Sequence, residues 1–154
     1  MIFLSDRSDY KEIWGQGKIK FPEGIRAARI LPGSNGKIAV IGRGQGNVEE
    51  FAEFLRSQGH DVETITDVPG NQEAWKEFKS SLRKRQEISG SAYRLTDEEI
   101  MGTRFYQLDK TWAIGLMQQK YTVIDVGNPL KRSPSVFLNM EYEQTFDWVR
   151  RQIQ

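Results

Sequence analysis

The chain has 154 residues, and its 22 lysines and arginines nearly balance its 21 aspartates and glutamates. This length is typical of one domain, and the near-neutral charge argues against a strongly electrostatic grip on DNA. Because cysteine is absent and histidine occurs once, disulfides, thiolate zinc sites and histidine-rich metal centres are excluded. No apolar run reaches the roughly 20 residues that span a bilayer, so we expect no membrane contact by the isolated domain.

The N-terminal segment, residues 1–36, differs in pattern from the rest of the chain. Glycines and prolines interrupt it so often from Gly15 to Gly36 that no long helix or strand fits. We therefore expect an irregular arm or linker over residues 1–36 and a single α/β domain over residues 37–154.

Three apolar runs predict the strands of a small sheet. Residues 37–42 are continuous and rich in β-branched side chains, which is typical of a strand buried on both faces. Residues 61–66 and 121–126 form the second and third runs, and amphipathic helical patterns lie between the strands. This alternation predicts a small three-layer, Rossmann-like parallel sheet with flanking helices.

The first predicted loop of interest follows residues 37–42. If the strand order is 2-1-3, this loop and the one after the third strand flank a crevice at the carboxyl edge, where open α/β sheets bind ligands. Its glycines permit close backbone approach, it leads into a helix whose amides favour an anion, and Arg43 can hold a phosphate. The alternative is a glycine-rich turn that binds nothing. The expected substrate-binding residues here are Gly42, Gly44, Gly46 and Asn47, with Asn47 also capping the helix.

The second loop follows the third strand and carries an acid. Asp125 stands near the end of an apolar run, so it either braces the loop or faces a ligand. Glu141 lies in the first turns of a later helix, where it either complements the helix dipole or acts as a general acid or base. We expect Asp125, Glu141 and Arg43 to be catalytic. Further substrate-binding residues are expected at Asn128, Lys131, Arg132, Ser133 and Ser135.

The remaining motifs exclude several enzyme classes. A serine hydrolase is not supported, because the chain has no G-x-S-x-G and its one histidine, His60, is expected at the amino end of the second strand, away from the proposed crevice. Asp61 and Glu63 share a strand, but the E-x-K pattern of restriction-type metal sites does not follow. We therefore expect neither a metal nor a cofactor.

Three stretches of the chain carry a resemblance to a known class of protein. They are GKIAVIGRGQGNVEEFAEFLRSQGHDVETI, KTWAIGLMQQKYTVIDVGNP and SPSVFLNMEYEQTF. Together they resemble a C-terminal toxin module of bacterial polymorphic toxins of the Rhs and contact-dependent inhibition kinds, over about residues 36–146. Such modules run from a GKIAVIGR strand to a GYTVIDLGNP and SPFYDME ending. Lys120 replaces the glycine of that pattern, and Val136–Asn139 replaces its shorter FYD, which leaves the role of the Ser135–Glu141 segment open.

The resemblance implies a function in bacterial competition. A secreted or surface carrier would deliver such a domain into the cytoplasm of a target cell, where a cognate immunity protein blocks it. Nucleases are the most frequent activities of this class, so the favoured interpretation is a metal-independent nuclease acting on RNA. Two alternatives remain open: an enzyme acting on a free nucleotide such as NAD or ATP, and a non-catalytic nucleotide-binding or interaction module.

Overall fold

The computed structural model describes residues 29–127 and 135–153. Its strands are β1 (Arg29–Leu31), β2 (Lys37–Ile41), β3 (Asp61–Glu63) and β4 (Thr122–Asp125). Its helices are α1 (Gln45–Ser57), α2 (Asn71–Ser89), α3 (Asp97–Met101), α4 (Arg104–Gln118), α5 (Val136–Gln144) and α6 (Phe146–Ile153). The predicted α/β class, with a sheet flanked by helices, is confirmed.

The sheet has the strand order β1-β4-β2-β3. β2 pairs in parallel with both β3 and β4, so the predicted strands lie in the assumed 2-1-3 order. The prediction of a wholly parallel sheet was wrong, because β1 pairs antiparallel with β4 at the edge. β1 lies inside the segment predicted as an arm. Its three residues are followed at once by Pro32 and Gly33, so the sequence shows too short an apolar pattern to predict a strand.

The second predicted strand ends earlier than expected. β3 stops at Glu63, and Ile65–Asp67 forms a 3₁₀ turn. The Thr64 N–H donates to Asp67 Oδ2 at 2.8 Å, and the Thr64 hydroxyl donates to Glu49 Oε1 at 2.6 Å. The bond to Asp67 satisfies the Thr64 amide locally and gives the backbone an alternative to the sheet, which is why the prediction of a strand over residues 61–66 was wrong in its second half.

Alternation along the strands divides the core between the two faces of the sheet. One face packs against α1, and its cluster includes Ile30, Ile38, Val40, Phe51, Leu55 and Ile124. The other face packs against α4 and α6, and its cluster includes Leu31, Ala39, Ile41, Trp112, Leu116, Val123 and Phe146. Because side chains two apart share a face, Asp125 lies on the same face as Val123. The strand therefore directs this carboxyl towards the side of the sheet that α4 and α6 cover.

Aromatic rings join α2, α4 and α5 beside this second face. Phe105 of α4 lies 5.7 Å from Phe78 of α2 and 5.3 Å from Phe137 of α5, measured between ring centroids. Such tilted and edge-to-face pairs stabilise a contact beyond the area they bury. The cluster therefore fixes α5 against α4, and α5 carries Glu141.

Ile30 tests whether β1 belongs to the folded domain. It is fully buried and stands opposite Ile124 in the sheet. Ile30→Ala is expected to lower the free energy of unfolding in urea by about 2–5 kcal/mol, the usual cost of emptying a buried aliphatic site. The matched control is Ile88→Ala, because Ile88 is 83% exposed and such surface changes stay within about 0.5 kcal/mol. Equal effects of the two substitutions would contradict the placement of β1.

Candidate functional site

The loops after β2 and β4 meet at the carboxyl edge of the sheet, as the strand order requires. The Val126 N–H donates to the Ile41 carbonyl at 2.9 Å, and the Arg43 N–H donates to the Gly127 carbonyl at 2.8 Å. Gly42 lies at the crossing with φ of 152°, and a Cβ there would stand 2.3 Å from Val126 Cγ2. Only glycine allows this approach. Two segments about 80 residues apart in the chain are thus joined by backbone contacts.

The first loop ends in a helix start that differs from the predicted one. α1 begins at Gln45 with Gly44 as its N-cap, so the prediction that Asn47 caps it was wrong. Gly44 has φ of 88°, and no described side chain caps the helix there. The Asn47 N–H donates to the Gly44 carbonyl at 3.0 Å, while Gly46 lies inside the first turn. A helix start leaves its first amides without intrahelical partners, and such amides attract anions.

The carboxyl of Asp125 braces the loop that follows β4. Its side chain is buried, with the residue 1% exposed. Oδ1 accepts from the Gly127 N–H at 2.7 Å and from the Tyr142 hydroxyl at 3.0 Å, and Oδ2 accepts from Arg29 Nε at 3.3 Å. Burial raises the pKa of Asp125, and these three donors oppose that rise. The carboxyl therefore connects β1, the loop after β4 and α5.

Arg29 is a member of this site that the sequence did not indicate. Its guanidinium carbon lies 4.6 Å from the ring centroid of Tyr142 and 4.1 Å from that of Phe146. Cations over aromatic rings are stabilised by the ring quadrupole, so the two rings and Asp125 hold the side chain in place. Burial, together with the negative charge of Asp125, raises the pKa of Tyr142, so its hydroxyl stays protonated and donates.

Glu141 and Asp109 form a buried pair of carboxyl groups. Glu141 on α5 is 7% exposed and Asp109 on α4 is 3% exposed. The two carboxyls lie close enough for a hydrogen bond between them to raise the pKa of Glu141 and to lower that of Asp109. Burial raises the pKa of Glu141 well above its ordinary value, and the charges of Asp109 and Asp125 raise it further. Burial also raises the pKa of Asp109 to about 6, against the lowering effect of its hydrogen bond with Glu141. The predicted pair Asp125 and Glu141 is thus close enough to interact electrostatically.

Asp109 lies outside the apolar stripe that the sequence predicts for α4, which runs through Phe105, Leu108, Trp112 and Leu116. Trp112 and Leu116 are buried as predicted, and the other buried residues of α4 are Tyr106, Asp109 and Ala113. Asp109 stands three residues after Tyr106 and four before Ala113, so it occupies the apolar face of an amphipathic helix. A lone acid on such a face was the available signal.

Ser135 has a structural contact at the start of α5. It is the N-cap of this helix, and its Oγ accepts from the Leu138 N–H at 3.1 Å. Such a cap stabilises the helix by about 1 kcal/mol. At the far end, the Thr145 hydroxyl donates to the Glu141 carbonyl at 2.7 Å, and α6 begins at the next residue. These contacts define the short helix that carries Glu141.

The other predicted binding residues lie outside the described part of the chain. These are Asn128, Lys131, Arg132 and Ser133. Within residues 29–127 and 135–153, no group of three or more histidine, cysteine, aspartate or glutamate side chains is arranged to hold a metal ion. The helices of these same ranges include none that is long and apolar enough to cross a membrane.

Comparison of the chain with family models, with curated proteins and with solved structures gives no significant match. The geometry of the carboxyl edge and the sequence pattern are therefore the basis for proposing a function.

Gly42 tests the junction between the two loops. Gly42→Ala is expected to lower the free energy of unfolding by about 1–3 kcal/mol, because its Cβ would overlap Val126 and its φ is unfavourable. Gly46→Ala is the matched control, since nothing lies within 4 Å of a Cβ there. An alanine inside a helix is favoured over glycine by up to about 1 kcal/mol. Urea unfolding of both variants checks the junction. If Gly42→Ala leaves the free energy of unfolding unchanged, the loops do not meet this closely.

Proposed function

We propose that this chain is a metal-independent nuclease that acts on RNA at the carboxyl edge of β2 and β4. The observation that carries the proposal is the burial of Glu141 beside Asp109 and within reach of the charge of Asp125, which braces the loop where the Arg43 amide meets Gly127. Groups whose pKa is strongly perturbed by burial and by charged neighbours concentrate at catalytic sites.

Glu141 is the proton donor in this proposal. Burial and two neighbouring carboxyls keep it protonated at a pH where an exposed glutamate has lost its proton. A general acid works best when its pKa lies near the working pH, which for a carboxyl requires such an environment. Asp125 is already engaged by three donors, so its role is to hold the loop and to add negative charge beside Glu141.

The start of α1 is the proposed phosphate-binding element. Its first amides point out of a glycine-capped helix end, where the helix dipole favours negative charge. Arg43 stands in this loop, and a guanidinium can bind two phosphate oxygens at once. The Arg43 backbone is fixed by its hydrogen bond to Gly127, so the loop is held against the segment that Asp125 braces.

RNA suits this arrangement because it carries its own nucleophile. The 2′-oxygen attacks the neighbouring phosphorus, and the bond from phosphorus to the 5′-oxygen breaks. Glu141 donates a proton to the departing 5′-oxygen, and the proton of the 2′-hydroxyl leaves to water. Catalysis then requires a held phosphate and a positioned acid, and stabilisation of developing charge by fixed amides is a large part of such catalysis.

The biological setting follows from the resemblance described above. We propose a toxin domain that a secreted or surface carrier delivers to the cytoplasm of a competing bacterium, with a cognate immunity protein as its partner. The three-layer, Rossmann-like arrangement belongs to the same proposal. It is supported by the packing of α1 on one face of the sheet and of α4 and α6 on the other.

A free nucleotide such as NAD or ATP is the second candidate substrate. The glycine-capped start of α1 favours it, because amides at a helix N-terminus bind compact diphosphates as readily as a polynucleotide backbone. Glu141 would then protonate a different leaving group at the same edge.

Inducible expression in a bacterium tests both candidates. We expect growth to stop, with total RNA fragmented while genomic DNA and the NAD and ATP pools are still intact. Glu141→Gln removes the acidic proton and is expected to reduce RNA cleavage by about 10²–10⁴-fold. The matched control is Glu143→Gln, which removes an exposed carboxyl from the same helix and should leave RNA cleavage and toxicity unchanged.

Each other outcome contradicts a stated part of the proposal. Loss of NAD or ATP with intact RNA would replace the nuclease by the second candidate. Unimpaired growth would contradict the toxin assignment. Full toxicity of Glu141→Gln would show that Glu141 is not the acid.

A further inference from the structure

Asp109 of the carboxyl pair takes no direct part in the proposed bond-breaking step. Asp109 lies 3% exposed on the apolar face of α4, between Tyr106 and Ala113. Its Oδ1 is buried and accepts from no donor group of the described residues. A buried acceptor left without a donor costs about 1–3 kcal/mol, so the position requires a physical explanation.

The contact between the two carboxyls supplies that explanation. Ionised carboxylates have only acceptor oxygens, so a hydrogen bond between Asp109 and Glu141 exists only when one of them carries a proton. Two such groups in contact cannot both ionise at neutral pH without strong repulsion. Burial between packed helices increases this repulsion, because little water is available to screen it. The pair is therefore most stable with one shared proton.

We propose that Asp109 is a positioning residue for Glu141, which shares one proton with it and keeps that proton on the pair until the substrate takes it. This inference rests on the proposed function in that it assigns the source of the catalytic proton. Asp109 acts only through Glu141 and does not touch the substrate.

The other charged and titratable groups around the pair fit this assignment. From β4, Asp125 adds negative charge that favours the protonated form of Glu141. Arg29 of β1 donates a hydrogen bond to Asp125, so its charge is directed at Asp125 rather than at Asp109 or Glu141. Burial, followed by the charges of Glu143 on α5 and of Asp109, raises the pKa of the Tyr106 hydroxyl of α4, so this group stays protonated.

The first test is the pH profile of RNA cleavage by Asp109→Asn. The amide of the asparagine can donate a hydrogen bond to an ionised Glu141 and carries no charge to repel it, so the pKa of Glu141 is expected to fall. The alkaline limb of the profile should then move to lower pH by about one unit or more, with activity retained in acid. Glu143→Gln is the control, and the alkaline limb of its pH profile should lie at the same pH as that of the unsubstituted chain. A uniform loss of activity at every pH, with the limb unmoved, would overturn the assignment.

The second test does not depend on activity. A carboxyl whose pKa is raised in the folded state holds its proton where the unfolded chain has lost it, so the free energy of unfolding falls as pH rises. For Asp109 the fall extends from its ordinary pKa of 3.8 to about 6, and Glu141 extends it further. In urea unfolding, Asp109→Asn should show a smaller fall between about pH 4 and about pH 7 than the natural chain. In Glu143→Gln the free energy of unfolding should fall with pH as it does in the unsubstituted chain.

These readouts separate failure of this inference from failure of the proposed function. If the natural chain cleaves no RNA, the nuclease proposal fails, and the urea data alone decide the pairing. If the free energy of unfolding of Asp109→Asn falls with rising pH as much as that of the unsubstituted chain, the pairing of Asp109 with Glu141 is overturned. If that variant does not fold, Glu141→Gln removes the other carboxyl and should flatten the same fall, and an unchanged fall in this second variant would equally overturn the pairing.

Discussion

The buried carboxyl of Asp125 joins the parts of the molecule on which the carboxyl edge depends. It accepts from Arg29 of β1, from the Gly127 amide and from the Tyr142 hydroxyl of α5. Burying an ionised carboxyl without partners costs several kcal/mol, so these three segments are held together by the requirement to satisfy it. Gly127 in turn accepts from the Arg43 amide, which extends the connection to the glycine loop.

On the same side of the sheet, the buried carboxyls of Asp109 and Glu141 form no ion pair with any residue of 29–127 or 135–153. Burial raises the pKa of Asp125, but its contacts with described residues, including the ion pair with Arg29, favour its ionised form. Glu141 instead lies against Asp109, and burial favours the protonated form of that pair. Neighbouring acids whose environments differ in this way divide the roles of fixed charge and proton donor. We base the proposed assignment of Glu141 as the acid on this contrast.

Hydrophobic pattern was sufficient to predict β2, β3 and β4, and their order brings the two loops together. The edge strand β1 could not be predicted, because three residues before a proline carry too little periodicity. Arg29 was missed with it. The end of β3 and the start of α1 were misplaced because each depends on hydrogen bonds local to a turn, at Thr64 and at Gly44. Asp109 was missed because a single acid on an apolar helix face does not by itself identify its partner.

The proposed chemistry requires that the buried carboxyls of α4 and α5 retain a proton. This is tested most directly by titrating the unsubstituted chain by carboxyl-carbon NMR, with Glu141 and Asp109 assigned by substitution. We expect Glu141 to titrate well above its ordinary pKa of 4.5 and Asp109 to titrate at about 6. Titration of Glu141 at or below 4.5 would contradict the proposal, because the carboxyl would then be ionised at neutral pH and have no proton to donate.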